Sequence, residues 1–385
     1  LLIRSGLSYT AGTVNWNGRL AYFADTSQTI NSGTLDFGDV TFGCDNCTYT
    51  ITGTAKVQGT LRLHNWTSST SSKATLTGGT IESYGDVINQ TTAVNGMGFG
   101  GTTNLSFVGT GAQTYSMVNA NGARLPQVSI NKSSGTLSVN NHLFATGGFT
   151  YLAGTVAWGT GIQYGAVDSS QTVTPGALSF ADAVFACSGC TFTLSGTMNI
   201  GGNLSLQNWT ASTSTFNTLS GGTVLLTGNL NNYASTSGTP GYKGTTNITF
   251  SGSGNQSYTQ TNTSVGRLPA VTINKSGGTL TVTNDLSTAG GFTYTAGTVS
   301  WGTSRYFAWD SSQTITPGAL SFNSVGFSCN GCTFTISGNM AIAGNLDLYS
   351  WAASGTYNTI NNGNLDVSGN VTVSGNAANV SGYIG

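Results

Sequence analysis

The chain has 385 residues with 11 basic and 12 acidic side chains, so 6% are charged where an ordinary globular domain has roughly a quarter. A net charge of −1 leaves no field to steer nucleic acid or an anionic membrane, and no apolar run approaches the roughly 20 residues needed to span a bilayer. Ser, Thr, Asn and 56 Gly supply strands and turns rather than helices, and 17 Phe, 15 Tyr and 7 Trp exclude simple disorder, so the expected class is all-β.

The first element after Leu1 is an aromatic strand, Thr10-Ala11-Gly12-Thr13-Val14 ending at Trp16. It returns as Leu152-Ala153-Gly154-Thr155-Val156 ending at Trp158, and as Thr295-Ala296-Gly297-Thr298-Val299 ending at Trp301. Spacings of about 142 residues divide the chain into repeats 1–142 and 143–285 and an incomplete third, 286–385. Next in each repeat comes a turn and strand: Asp25-Thr26-Ser27-Gln28-Thr29, Asp168-Ser169-Ser170-Gln171-Thr172 and Asp310-Ser311-Ser312-Gln313-Thr314. A cysteine segment follows, then a Trp marker at Trp66, Trp209 and Trp351. The first two repeats close on Leu125-Pro126-Gln127-Val128-Ser129-Ile130-Asn131-Lys132 and Leu268-Pro269-Ala270-Val271-Thr272-Ile273-Asn274-Lys275.

Toward the end, Phe334-Thr335-Ile336, Met340-Ala341-Ile342, Leu346-Asp347-Leu348, Leu365-Asp366-Val367 and Val371-Thr372-Val373 are apolar-polar-apolar triplets. Gly-Asn corners separate them. Alternate side chains of such triplets point inward, and Gly-Asn supplies the positive φ of a tight corner. Sandwich strands recur every 8–12 residues, too long for this spacing. A parallel β-solenoid fits better: about 18–24 residues per turn, roughly 16–21 turns, and one continuous rod about 80–100 Å long. Three tandem β-sandwich modules are the alternative. The chain begins at a repeat edge and stops inside the third repeat, so it is expected to belong to a longer continuous or head-to-tail fibre whose ends are covered.

The cysteines come as Cys44/Cys47, Cys187/Cys190 and Cys329/Cys332, each pair flanking turn formers and preceding a strand. Structural zinc needs four ligands, and pairs several turns apart do not meet. A redox motif needs a helix start that lowers the thiol pKa. Local disulfides pinning turns are the reading adopted, with disulfides between chains and metal or redox work as competitors; paired cysteines suit an oxidising compartment. Asp25, Asp168 and Asp310 lack the further carboxylates a calcium site wants, and an Asx-turn explains them. Glu82 is the only Glu, and His64 and His142 do not recur, so no catalytic set is expected. Trp66, Trp209 and Trp351 either pack across a corner or face a sugar. Arg124/Arg267 and Lys132/Lys275 recur and read as solvated edge charges that discourage strand pairing.

Segments such as Phe250-Ser251-Gly252-Ser253-Gly254-Asn255-Gln256-Ser257 and Leu268 to Lys275, continuing Ser276-Gly277-Gly278-Thr279-Leu280, resemble the repeats of large secreted bacterial surface proteins. Those are similar to filamentous haemagglutinins and autotransporter-type adhesins. The resemblance implies a right-handed parallel β-helix, an extracellular location and a structural or adhesive role. The function expected is a non-enzymatic segment or subunit of a cell-surface fibre, surface layer or adhesin stalk. It would have no cofactor and would partner copies of itself. The alternative is a carbohydrate-binding adhesin or phage tail-fibre-like module that recognises cell-surface glycans.

Overall fold

The computed structural model describes residues 1–385 except 17, 19, 68, 70, 93–95, 120–121, 211, 213, 235–239, 262–265, 352–356, 376–381 and 385. The described residues form strands, turns and bends, with no helix. Two compact units divide the chain, Leu1–Asp182 and Ala183–Gly385, and each is a parallel β-solenoid.

In the first unit, Leu2–Ile3, Ala21–Ala24, Val40–Cys44, Leu61–Asn65, Val87–Thr91 and Gln113–Val118 stack in that order along one face. A second face stacks Leu7–Ser8, Gln28–Asn31, Thr48–Thr52, Ala74–Thr77 and Phe99–Gly101. Asp36–Phe37, Thr54–Val57, Thr80–Ser83 and Asn104–Gly109 form the third. Three short strands therefore make one turn. The second unit repeats the plan, with Leu204–Asn208 on Leu230–Ala234, Thr197–Ile200 on Thr223–Leu226, and Val325–Cys329 on Leu346–Ser350.

Period-2 alternation builds the core. Along Leu61–Asn65 residues 61, 63 and 65 are buried, and in-register stacking then places Leu61, Val87, Tyr115 and Val139 in one interior column. Phe23 and Phe42 stack likewise, with ring centroids 5.2 Å apart and planes 13° from parallel. Of the late triplets, Phe334, Ile336, Met340, Ile342 and Leu346 are buried. Val371 and Val373 are exposed; among the described residues their strand is paired to Leu346–Ser350 alone.

Two expectations need correction. One turn takes about 20 residues where Leu2 lies on Tyr22, inside the expected range, but about 28 where Val87 lies on Tyr115, so some turns are longer than expected. The corner glycines also serve two purposes rather than one. Gly338 has φ 107°, as the turn chemistry requires. Gly344 does not adopt positive φ; there a Cβ would stand 2.3 Å from Asn323 O, so close stacking of turns demands glycine. Asparagines beside such corners form ladders, with Asn229 Nδ2 donating to Asn203 Oδ1 at 3.0 Å.

Candidate functional site

The recurring aspartates sit at corners in left-handed backbone conformation, with φ 73° at Asp25, 68° at Asp168 and 64° at Asp310. An arginine of an earlier turn takes each carboxylate. Arg124 Nε and Nη2 donate to the two oxygens of Asp168 at 3.0 Å, and Lys73 Nζ adds a contact at 3.3 Å. Arg267 Nε donates to Asp310 Oδ2 at 2.7 Å, and Arg4 Nε reaches Asp25 Oδ2 at the same distance. At Asp168 and Asp310 the planar guanidinium meets both carboxylate oxygens at once. Burial pushes the Asp168 carboxyl up, but Arg124 and Lys73 outweigh it and hold the group below its ordinary range. Arg124 and Arg267 are therefore not solvated edge charges. Neither are the lysines: Lys132 Nζ is buried and donates to Gly111 O at 2.8 Å and Gln113 Oε1 at 2.7 Å, and Lys275 does the same with Gly254 O and Gln256 Oε1.

The glutamine of the corner motif is also internal. Gln28 Nε2 donates to Ile3 O and Ala24 O, Gln171 to Ala145 O and Val167 O, and Gln313 to Thr288 O and Trp309 O.

Each cysteine turn lies under the strand that ends in a marker Trp, whose N–H donates to the first cysteine's carbonyl. Cys187–Cys190 and Cys329–Cys332 are disulfide-bonded, whereas Cys44 and Cys47 are free and buried, where a third bridge was expected. The surroundings differ in step. Asn217 Oδ1 accepts from Cys190 N and its Nδ2 donates to Cys187 O, both at 3.0 Å, and Asn358 repeats this at Cys332 and Cys329. The first repeat has Ala74 there. Its Tyr49 hydroxyl instead reaches Phe23 O and Gly43 O, a place held by Phe192 and Phe334 later. Burial, then Cys47, pushes the Cys44 thiol up to about 12, the opposite of an activated thiolate.

The marker tryptophans do not share one environment. Trp66 donates to His64 Nδ1 and packs edge-on against Tyr22. Trp209 is 39% exposed and donates to Gln207 Oε1. Trp351 joins an aromatic groove in the second unit, with Trp309 at 5.2 Å and Tyr349 at 6.0 Å, while Phe307 lies 5.4 Å from Trp309. The groove encloses about 610 Å³. At its edge Arg305 Nη2 meets Asp285 Oδ2 at 2.9 Å, Nη1 lies 3.6 Å from Asp347 Oδ2, and the guanidinium covers Phe307 at 4.5 Å. Trp351 is a residue that the sequence singles out; its neighbours in the groove are not. A signal was available: Arg305, Phe307, Trp309, Asp347 and Tyr349 replace Gln163, Gly165, Val167, Ser205 and Gln207 of the second repeat, while flanking interior residues such as Tyr164/Tyr306 hold.

Among the described residues no three His, Cys, Asp or Glu side chains gather as metal ligands, and no helix is long and apolar enough to cross a membrane. The chain matches no protein-family model, no curated protein and no solved structure.

Proposed function

We propose that the chain is a non-enzymatic extracellular structural protein, a segment or subunit of a cell-surface fibre, surface layer or adhesin stalk. One observation carries the reading: the polar residues that recur from repeat to repeat are used to hold turns together. The Arg–Asp corners, the interior Gln and Lys, and the Asn217 and Asn358 clamps all bond within the chain. A shared catalytic site would instead repeat polar groups that face solvent. Two bonded cysteine pairs favour an oxidising compartment. The partner in this reading is a further copy of the chain, because so few like charges oppose association.

Immunogold labelling of intact source cells with antibody to this chain should mark the outer surface, with negative-stain images of the purified protein showing rods or filaments. Label confined to the cytoplasm, or turnover of a polysaccharide by the purified chain, overturns the reading.

A further inference from the structure

We propose that the groove formed by Phe307, Trp309, Tyr349 and Trp351 binds a neutral saccharide. The proposal is independent of the fibre reading, since it concerns one outer face of the third repeat.

The groove has the size of a small-ligand site, and its ten lining residues are five aromatics with five polar or charged groups. Its rings present flat apolar faces at differing tilts, between 47° and 75° to one another, so they line a trough rather than a single platform. Trp351 is 39% exposed, like Trp209, but unlike Trp209 it is continuous with further rings, those of Trp309, Tyr349 and Phe307. Two polar atoms among the lining residues, Trp309 Nε1 and Ser328 Oγ, are buried without a hydrogen-bond partner. Buried polar atoms are ordinarily satisfied, and these two belong to residues that line the groove.

The chemistry of the edge selects the ligand. A sugar ring has an apolar C–H face for stacking and a rim of hydroxyls that both donate and accept. Arg305 offers donors, Asp285 and Asp347 offer acceptors, and all three are at least a quarter exposed. An aromatic peptide side chain would fill the trough but leave those groups unused. A nucleotide or acidic sugar would bring negative charge to a site with two carboxylates and one guanidinium. A neutral saccharide uses the aromatic faces, donors and acceptors together.

The interior is copied between repeats while this exterior is rebuilt. Of the five positions that change from the second repeat to the third, three gain an aromatic ring and two gain a charge. Packing alone does not call for that, because the same scaffold stands with Gln163, Gly165, Val167, Ser205 and Gln207 in those places.

The test is an array of neutral and acidic oligosaccharides probed with the intact chain. It is followed by tryptophan-fluorescence titration of wild type, Trp351→Ala, Asp347→Asn and Trp209→Ala with the neutral oligosaccharide retained best. Expected are retention of at least one neutral glycan, about tenfold weaker binding for Trp351→Ala, a measurable loss for Asp347→Asn, and no change for Trp209→Ala. Circular dichroism reports folding; if Trp351→Ala fails to fold, Asp347→Asn, which removes charge and keeps shape, decides. No neutral glycan retained, acidic glycans only, or affinity unchanged in the folded variants would overturn the proposal.

Discussion

The corners at Asp310 and Asp25 are built from the same residues and differ in what surrounds them. Both aspartates are left-handed, both accept an arginine at 2.7 Å, and both precede the glutamine that ties the corner to the turn before. Around Asp310, however, Arg267 is only 6% exposed and lies 4.4 Å from the Trp309 ring, whereas Arg4 and Asp25 are 66% and 39% exposed. The position of Trp309 is Ala24 in the first repeat. One ion pair is thus part of the interior and the other decorates a surface. A repeated motif fixes the backbone, and the neighbouring turns decide what the motif is worth.

The largest effect should come from Arg267→Ala, which leaves the Asp310 carboxylate without its charged partner. Removing one member of a buried pair costs about 3–5 kcal/mol. Hydrogen exchange at the amides around Leu268 and Asp310 reads this locally, which suits a stacked array. A loss under about 1 kcal/mol would mean that burial is not what separates the two corners.

A second contrast lies at the cysteine turns. Asn217→Ala should cost about 2 kcal/mol, because the N–H of Cys190 and the carbonyl of Cys187 both lose a buried partner. Denaturant unfolding of the variant checks it. In the first repeat the aromatic pair is exchanged: Tyr49 stacks on Phe99 at 6.4 Å, where Phe192 stacks on Tyr242 at 6.5 Å. The hydroxyl has moved from one stacked ring to the other, and the Asn is Ala74. Even so, Cys47 N donates to Cys44 Sγ at 3.1 Å, as Cys190 N does to Cys187 Sγ. The turn is shaped for a third bridge, so protein oxidised by a disulfide-exchange reagent should lose two further hydrogens by mass at Cys44/Cys47. Two cysteines that still alkylate after unfolding in that sample would show that the first turn stays open.

These contrasts mark what could be read in advance. The solenoid was legible because side-chain alternation and turn residues are local signals, clear in Phe334-Thr335-Ile336 and its neighbours. The Asp–Arg corners were not, although both residue types were seen to recur. Their partners lie 43 and 44 residues apart, a distance set by turn length that no local pattern reports. Lys132 misled for a related reason: a lone lysine reads as exposed until the coil places Gly111 O and Gln113 beside it. The groove needed a comparison of outer positions between repeats rather than a search for shared residues.

Acid should act on the Asp168 corner by a smaller margin. The folded state holds the Asp168 carboxyl below its unfolded value, so ionised Asp168 contributes stability that is fully present above an unfolded pKa of about 3.9. That contribution fades as pH falls through the lower, folded value. The stability difference between wild type and Asp168→Asn should therefore be flat from pH 7 to about 5 and narrow below about 4. Thermal unfolding of both proteins across that range measures it, and a difference that widens in acid would reverse the assignment.

The smallest effect is expected at Arg4→Ala. Its guanidinium is mostly hydrated and the Asp25 carboxylate is exposed in part, so water replaces the lost contact at little cost, and salt already screens the pair. Thr26 Oγ1 donating to Arg4 O and Gln28 Nε2 donating to Ile3 O and Ala24 O do not involve the arginine side chain and hold the corner without it. The change should cost less than about 1 kcal/mol and shrink further at high salt, followed by hydrogen exchange at the amides of Tyr22 to Asp25. A cost near that of Arg267→Ala would show that the ion pair itself, not its burial, sets the corner.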